Sequence, residues 1–363
     1  MKVAILHYWL VTMRGGEKVV EALCELFPQA DVFTHVYNPD SISPSIIQHK
    51  VTTTFIQKLP LATKKYQSYL PLMPLALEQL DLRDYDLIIS SESGPAKGVI
   101  TRPDAVHICY CHTPMRYVWD MYHDYRETAG LLKKLLMPPL IHYLKLWDYA
   151  SAARVDHYIA NSCFVASRIA KHYRREATVI HPPVSCADFT VSADRGDYYL
   201  MVGQLVRYKR TDIAVAACNT AGRKLVVIGE GEQLDELKRM AGPTVTVMGK
   251  QPFNVIREHY SKCKALLFPG VEDFGIVPLE AMASGRPVIA YRKGGAMETV
   301  VEGVTGLFFD EQTSESLNKA IFFYEANAGL FTADAIRSHA LTFDVAIFKQ
   351  KISHFISMLN ISH

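Results

Sequence analysis

Short apolar runs alternate with helix-like stretches along the first half of the chain. The first run covers residues 3–9, and an amphipathic pattern follows it as far as Leu26. Later runs are equally short and apolar, and they cover residues 31–37, 51–55, 86–91, 106–112 and 156–161. Strands that alternate with helices predict a parallel sheet covered by helices on both faces.

A second series of the same kind begins after Pro182 and Pro183. Its strand-like runs cover residues 198–203, 224–229, 245–249, 264–268 and 288–291. Because a polar, irregular stretch at residues 185–196 separates the two series, we place a domain boundary near Pro183. We therefore predict an α/β fold with two Rossmann-like, doubly wound domains, and an apolar stripe in residues 344–358 predicts a final helix.

Residues 126–149 interleave leucines with lysines and end in aromatic residues. This pattern suits a segment that lies in a membrane interface. The alternative, which the globular character of the rest of the chain favours, is an amphipathic helix packed on the first domain. Pro138 and Pro139 predict a break in any single long helix. Our hypothesis is that this face meets anionic lipid through its lysines and those of a nearby segment, namely Lys133, Lys134, Lys145, Lys58, Lys64 and Lys65.

Composition narrows the class of protein. Of the 363 residues, 49% are hydrophobic and 21% are charged, which suits two ordinary domains, and a net charge of +2 argues against a dedicated nucleic-acid binder. Seven cysteines without a C-x-x-C pair, Cys163 among them, indicate buried free thiols in a reducing compartment. Residues 2–9 are too short and polar for a signal peptide, and no apolar run reaches spanning length. We expect a cytoplasmic protein that can touch the inner face of the plasma membrane.

Two motifs have the composition of metal sites. Asp84 and Asp86 form a D-x-D pattern, but it precedes its strand, whereas ligands of open α/β sheets gather beyond the carboxyl ends. Cys111 and His112 have no second pair of ligands at a suitable spacing. We therefore predict no metal.

Several residues of the first half follow predicted strands. Gly15 and Gly16 come after the first strand, where they make either a phosphate-compatible loop or a purely structural turn. Lys97 lies in a polar loop that either meets an anion or is simply flexible. His112 ends a buried strand, and that position favours a functional role over that of a satisfied core histidine.

In the second half, Gly203 ends a strand and two cations, Arg207 and Lys209, follow it. On charge alone these side chains suit a solvated surface, but their place after a strand favours contact with a diphosphate.

The stretch 270–285 contains the strongest signal. Glu272 and Glu280 are separated by seven residues, and the segment between them, Phe274, Gly275, Ile276 and Val277, leads from a strand into a helix. Gly275 permits close backbone approach, and the amides that open the helix are free donors that favour an anion. Since carboxylates accept hydrogen bonds from hydroxyls, the two glutamates suit sugar rings on either side of a pyrophosphate.

This stretch, Glu-Asp-Phe-Gly-Ile-Val-Pro-Leu-Glu-Ala-Met-Ala-Ser-Gly, resembles the E-x7-E segment of family 4 retaining glycosyltransferases. Residues 111–117, Cys-His-Thr-Pro-Met-Arg-Tyr, resemble the WbaZ-like branch of bacterial polysaccharide mannosyltransferases within that family. The resemblance implies a GT-B architecture, with domains 1–183 and 184–343 facing across a cleft and a C-terminal helix, 344–363, crossing back onto the first domain.

The resemblance also implies an activity. It is the retaining transfer of a hexose, expected to be mannose from GDP-mannose, to a lipid-linked saccharide in surface polysaccharide or O-antigen synthesis. No cofactor and no metal are expected, because cations and amides neutralise the leaving diphosphate. The partners are a nucleotide diphosphate sugar and the lipid-linked acceptor, with no nucleic acid.

The resemblance also implies roles for individual residues. His112 and Glu272 are expected to contact the donor sugar, Lys209 to bind the pyrophosphate, and Glu280 to bind the ribose. It places Gly15 and Gly16 against the donor phosphate and acceptor side. Further glycine turns are expected at the base, ribose and leaving phosphate, namely Gly229, Gly231, Gly249, Gly294 and Gly295.

One position departs from the family pattern, since Gln204 stands where arginine usually follows the glycine. Arg207 is expected to supply the missing charge. Two other interpretations stay open: a nucleotide-sugar epimerase or glycan phosphorylase of the same fold, and a membrane-associated scaffold without turnover.

Overall fold

The structure is a computed structural model that describes residues 1–127, 130–359 and 361, without the side chains of residues 124, 125 and 131–133. The chain divides into two compact units. The first unit comprises Met1–Pro183 and Phe348–His363, and the second comprises Val184–Ile347. The first division along the chain falls between Pro183 and Val184.

The first unit contains a parallel seven-stranded sheet in the order β3-β2-β1-β4-β5-β6-β7. Its strands are β1 (Val3–His7), β2 (Asp31–Thr34), β3 (Val51–Thr53), β4 (Leu87–Glu92), β5 (Val106–Cys111), β6 (His157–Ala160) and β7 (Ala177–Val179). Its helices are α1 (Gly15–Leu26), α2 (Pro44–Ile47), α3 (Ala62–Lys65), α4 (Met73–Glu78), α5 (Arg116–Trp119), α6 (Tyr122–Glu127), α7 (Leu131–Ala152) and α8 (Cys163–Tyr173).

The second unit repeats this plan with a parallel six-stranded sheet in the order β10-β9-β8-β11-β12-β13. Its strands are β8 (Tyr199–Val202), β9 (Leu225–Ile228), β10 (Val245–Gly249), β11 (Leu266–Phe268), β12 (Val288–Tyr291) and β13 (Gly306–Phe309). The remaining helices are α9 (Thr211–Ala221), α10 (Leu234–Met240), α11 (Phe253–Lys262), α12 (Ile276–Ala283), α13 (Ala296–Thr299), α14 (Ser314–Ala326), α15 (Ala333–Leu341) and α16 (Val345–Met358).

Both sheets confirm the predicted α/β class. The strands read as continuous apolar runs because helices cover both faces, and all five residues of β1 are buried. In each sheet the strand order reverses beside the first strand, between β1 and β4 and between β8 and β11. The carboxyl ends at such a reversal point form the crevice in which ligands of open α/β sheets bind.

Helix α7 contradicts the prediction of a break at Pro138 and Pro139, since both prolines lie inside a continuous helix. The helix is held by its inner face, where Ile141, Leu144 and Trp147 are buried in the core of the first unit. This packing offsets the roughly 3 kcal/mol that an interior proline costs. None of the described helices is both long and apolar enough to cross a membrane.

Smaller differences concern element ends and one thiol. Strands β2 and β3 stop at Thr34 and Thr53, earlier than their apolar runs predict. Cys163 is exposed at the first turn of α8, so the prediction of a buried thiol is wrong there, whereas the other six cysteines are buried.

Candidate functional site

Three neighbouring strand ends of the first unit bring His7, Ser91 and His112 together. Ser91 Oγ lies 3.1 Å from Nδ1 of His7 and 2.8 Å from Nε2 of His112, so one hydroxyl bridges two imidazoles. The predicted residue His112 therefore belongs to a cluster with His7 and Ser91. The sequence does not group these three residues, because the adjacency of strand ends depends on strand order.

Gly16 lies against this cluster. A Cβ atom at Gly16 would lie 3.0 Å from the Tyr8 hydroxyl and 3.6 Å from Nε2 of His112. Gly15 and Gly16 form the first turn of α1 rather than a loop before it. At Gly16 the small residue is explained by its close contact with the cluster, since a side chain there would crowd Tyr8 and the two histidines.

Burial keeps the two histidines of the cluster neutral. It lowers the pKa of His112 to about 4, and it lowers the pKa of His7 well below its usual value, with His112 adding a smaller effect. Neutral imidazoles can both donate to and accept from hydroxyl groups. The cluster therefore suits contact with a sugar rather than charge neutralisation.

Lys97 does not meet an anionic ligand from its loop. Its ammonium lies 2.7 Å from Oε1 of Glu92 and also bonds Asp148, and all three side chains are fully buried. The Trp119 indole and the Tyr173 hydroxyl donate to the same Asp148 carboxylate, at 2.7 and 2.9 Å. Lys97 is therefore a structural charge that joins β4 to α7.

The second unit brings Lys209 and Glu272 together at its own reversal point. Lys209 ends a 3₁₀ turn after β8, Glu272 follows β11, and Nζ of Lys209 lies 2.9 Å from Oε1 of Glu272. The side chains are 14% and 18% exposed. Burial works to lower the pKa of Lys209, but attraction by Glu272 outweighs it and raises the pKa above 10.5. The ammonium is charged, partly shielded and close to solvent.

Gly203 makes room for this lysine. Its φ of +147° is one that other residues rarely adopt, and a Cβ atom there would lie 3.1 Å from Nζ of Lys209.

The start of helix α12 lies between the two glutamates in sequence and presents free amides. Gly275 precedes the helix with φ of +88°, and no side chain caps it. The first two helical residues, Ile276 and Val277, have no intrahelical acceptor for their N–H groups, while Pro278 has no N–H at all. Phe274 is buried in the core and anchors the turn.

Glu280 projects from α12 and accepts a 2.8 Å hydrogen bond from the Tyr260 hydroxyl. Burial raises its pKa, opposed by this hydrogen bond and by Lys209. Tyr260 lies on α11, and its place in an apolar helix pattern marks it only as a core residue, so the sequence did not identify it as a partner.

Gly295 has a different role from the one expected for its amide. The Gly295 N–H donates to the Glu272 carbonyl at 2.9 Å, so it supports the Glu272 turn instead of pointing at a phosphate. A Cβ atom on Gly295 would lie 2.3 Å from Cα of Phe274. Close backbone packing explains the glycine.

Arg207 and Gln204 are exposed at the same edge of the second unit. Asp84 and Asp86 pair with Lys2 and Arg102 in the first unit. Across the described residues, no three histidine, cysteine, aspartate or glutamate side chains group as a metal site would need.

Comparisons with known proteins identify the family. Residues 13–188 match the family described as Glycosyltransferase Family 4, and residues 188–332 match the family described as Glycosyl transferases group 1. The chain belongs to the family 4 glycosyltransferases. Its two parallel-sheet units are those of the GT-B fold.

Curated relatives include mannosyltransferases. An uncharacterized glycosyltransferase of Methanocaldococcus jannaschii is 28% identical over 46% of this chain and 48% of the relative. The O-antigen chain mannosyltransferase RfbU of Salmonella typhimurium is 30% identical over 40% of this chain and 45% of the relative. A GDP-mannose-dependent phosphatidylinositol monomannoside mannosyltransferase of Mycolicibacterium smegmatis is 31% identical over 33% and 36%. The chain spans about half the length of the first two relatives.

Solved structures match over nearly the whole chain. HepE of Anabaena, in complex with UDP-glucose, has a TM-score of 0.69 at 18% identity and covers 99% of this chain and all of its own. WaaG, a glycosyltransferase involved in lipopolysaccharide biosynthesis, has a TM-score of 0.68 at 16% identity and covers 98% of this chain and 99% of its own. At these identities the likeness shows the fold alone.

Proposed function

We propose that this family 4 member transfers mannose from GDP-mannose to a hydroxyl of a lipid-linked saccharide, with retention of configuration. The observation that carries the proposal is the pairing of Lys209 with Glu272 beside the free amides of Ile276 and Val277. This edge offers the Lys209 ammonium and two N–H donors to a diphosphate, with the Glu272 and Glu280 carboxylates for hydroxyls.

The slow step is departure of the nucleotide diphosphate from the anomeric carbon. Negative charge grows on the leaving phosphate, so donors fixed around it stabilise the transition state more than the ground state. Lys209 and the α12 amides supply these donors, and Arg207 adds a solvent-exposed charge. Because the lysine already pairs with Glu272, donor binding replaces a carboxylate with a phosphate as its partner and frees Glu272 for the sugar.

Glu280 is assigned to the ribose, and its Tyr260 partner holds the carboxylate in place. His112, with Gly16 beside it and Gly15 before that in the first turn of α1, is assigned to sugar and acceptor hydroxyls. The cations take the role that a metal has in other transferases, and the attacking hydroxyl approaches the same face that the leaving phosphate vacates.

The choice of donor is supported by the mannosyltransferases among the relatives, whereas the fold neighbour HepE was solved with UDP-glucose. A panel of GDP, UDP, dTDP and their sugars, followed by transfer to a lipid-linked acceptor, tests it. GDP-mannose should raise the Tm most and be consumed only with acceptor. Preferential stabilisation by UDP contradicts the donor, and consumption without acceptor indicates an epimerase.

Contact with anionic lipid is a further part of the proposal. Helix α7 turns apolar side chains to solvent on both sides of Lys145 in the sequence, and the Lys145 ammonium lies 5.6 Å from the centre of the Tyr122 ring. The exposed apolar side chains are Leu135, Leu136, Tyr143, Leu146 and Tyr149. Lys134 belongs to the same helix, and Lys58, Lys64 and Lys65 are exposed elsewhere in the first unit, whereas the Lys133 side chain lies outside the described residues.

Flotation with vesicles that contain anionic lipid tests this contact. The double change Lys134→Glu and Lys145→Glu should lower recovery with the vesicles, and Lys224→Glu on the second unit is the matched control. Equal recovery of all three proteins would remove the lipid contact and leave the transfer reaction untouched.

A further inference from the structure

A buried carboxyl group stands beside the histidine cluster of the first unit. Glu17 is 2% exposed, and its Oε1 lies 4.0 Å from Nε2 of His7. That ring nitrogen is buried without a hydrogen-bond partner among the described residues. Successive contacts therefore connect Glu17 to His7, His7 to the Ser91 hydroxyl, and the Ser91 hydroxyl to His112.

The Ser91 hydroxyl restricts the tautomers of the two rings. It has one proton, so when it donates to one ring it accepts from the other. If Ser91 donates to Nδ1 of His7, then His7 carries its proton on Nε2, facing Glu17. Ser91 then accepts from Nε2–H of His112, whose Nδ1 is left as an acceptor.

The opposite arrangement reverses every bond. His7 carries its proton on Nδ1 and donates to Ser91, and Ser91 donates to Nε2 of His112. His112 then carries its proton on Nδ1, as a donor. In this state Nε2 of His7 faces Glu17 with a lone pair.

We propose that the protonation state of Glu17 sets the tautomer of His112 through His7 and Ser91. An ionised Glu17 favours the N–H of His7 on its side, and a protonated Glu17 favours the lone pair. When Glu17 passes from the ionised to the protonated state, the four residues together gain one proton, which is on Glu17. In each ring the proton moves to the opposite nitrogen by exchange with solvent, so neither ring becomes a cation.

Electrostatics around Glu17 place this change near neutrality. Burial raises the pKa of Glu17 to about 7, opposed by the Arg14 N–H that donates to Oε2 at 3.1 Å and by the Arg14 charge. The other groups facing it are His7, which ends β1, and the phenol of Tyr8, the residue after that strand. Burial and Glu17 raise the pKa of Tyr8. On α1 itself, Lys18 pairs with Glu21 at 2.8 Å.

The matched variants are Glu17→Gln and Glu21→Gln. The Arg14 N–H requires an oxygen at position 17, so the glutamine turns its NH₂ group toward His7 and reproduces the protonated state at every pH. Glu21 is on the same helix and outside the cluster.

The test is ¹⁵N NMR of the full chain labelled at histidine, without ligand, from pH 5.5 to 8.5, with His112→Gln and His7→Gln for assignment. In the wild type and in Glu21→Gln, Nδ1 of His112 should change from protonated to unprotonated as the pH rises. In Glu17→Gln it should stay protonated. One fixed His112 tautomer in the wild type, or an unchanged switch in Glu17→Gln, overturns the inference. If Glu17→Gln does not fold, Ser91→Ala is the second uncoupled variant, and the wild-type titration alone still decides.

The consequence for transfer rests on the proposed function, whereas the tautomer switch does not. If only one tautomer is productive, the wild-type rate should change about tenfold between pH 6 and pH 8, and the Glu17→Gln rate less than about twofold. A tautomer switch in a protein that transfers no sugar would remove the proposed function and keep the switch. Sugar transfer by a protein whose His112 keeps one tautomer at every pH would remove the switch and keep the proposed function.

Discussion

Each unit has a lysine that follows the carboxyl end of a strand and pairs with a carboxylate, and only one of the two suits a ligand. Each follows the carboxyl end of a parallel strand and each pairs with a carboxylate, Lys97 with Glu92 and Lys209 with Glu272. Lys97 is fully buried and also bonds Asp148, whereas Lys209 retains 14% of its side-chain exposure. Position after a strand selects candidates, and burial decides which of them can exchange a carboxylate for a phosphate.

The largest effect on stability is expected from Lys97→Met. Removing the cation leaves Glu92 and Asp148 buried without their partner, and breaking a buried pair in this way costs about 3–5 kcal/mol. Urea unfolding monitored by circular dichroism measures the change. The surface variant Lys224→Met should stay within about 0.5 kcal/mol of the wild type. A loss below 1 kcal/mol for Lys97→Met would show that Lys97 is not a structural charge.

The largest effect on catalysis is expected from Lys209→Met. Loss of one donor to the leaving phosphate lowers a rate by about 10²–10³-fold. Stability should change little, because a phosphate-binding cation is not needed to hold the fold. The transfer rate with saturating donor is the measurement, with Lys224→Met again as control. Full activity of Lys209→Met would show that Lys209, like Lys97, does not bind the leaving phosphate.

A smaller and pH-dependent effect is expected at Glu17. Because its pKa rises from 4.5 to about 7 on folding, the folded state holds a proton that the unfolded state releases between these values. Stability from this group therefore falls as the pH rises through that window, by at most about 3 kcal/mol. Glu17→Gln removes the dependence, so its stability relative to wild type should increase from pH 5 to pH 8. A difference independent of pH would contradict the raised pKa.

The smallest effect is expected from Arg207→Ala. This side chain is exposed, so its charge is screened by solvent and salt. We expect the donor KM to rise by about two- to fivefold at low ionic strength and to approach the wild-type value at high salt. Gln204→Arg, which restores the residue usual in the family, should act in the opposite direction. A hundredfold rise in the donor KM of Arg207→Ala would show that Arg207, and not Lys209, makes the main phosphate contact.

The sequence was sufficient to predict the two parallel sheets, since their strands are continuous apolar runs separated by helix patterns. It also predicted Lys209, Glu272 and the start of α12, because each follows the carboxyl end of a strand within a few residues. It did not predict the burial of Lys97, because Asp148 is distant in the chain and helix α7 had been expected to break at its prolines.

The histidine cluster shows a second limit. The strand-end position of His112 identified it as a candidate, but His7 and Ser91 become its neighbours only through the strand order that sets β1 beside β4 and β4 beside β5. Glu17 approaches His7 from helix α1, which the strand pattern does not indicate. Tyr260 was missed for a similar reason. In the sequence, a tyrosine that only packs in the core cannot be distinguished from one that also donates to a carboxylate.

The central claim is that Lys209 and the amides of α12 bind a diphosphate. Calorimetric titration of GDP and of guanosine into the wild type and into Lys209→Met tests it most directly, because the two ligands differ only in the diphosphate. The account predicts that the substitution raises the Kd for GDP by at least about tenfold, which corresponds to 1.4 kcal/mol of binding free energy, and leaves the Kd for guanosine unchanged. Equal GDP affinity in the two proteins would contradict it.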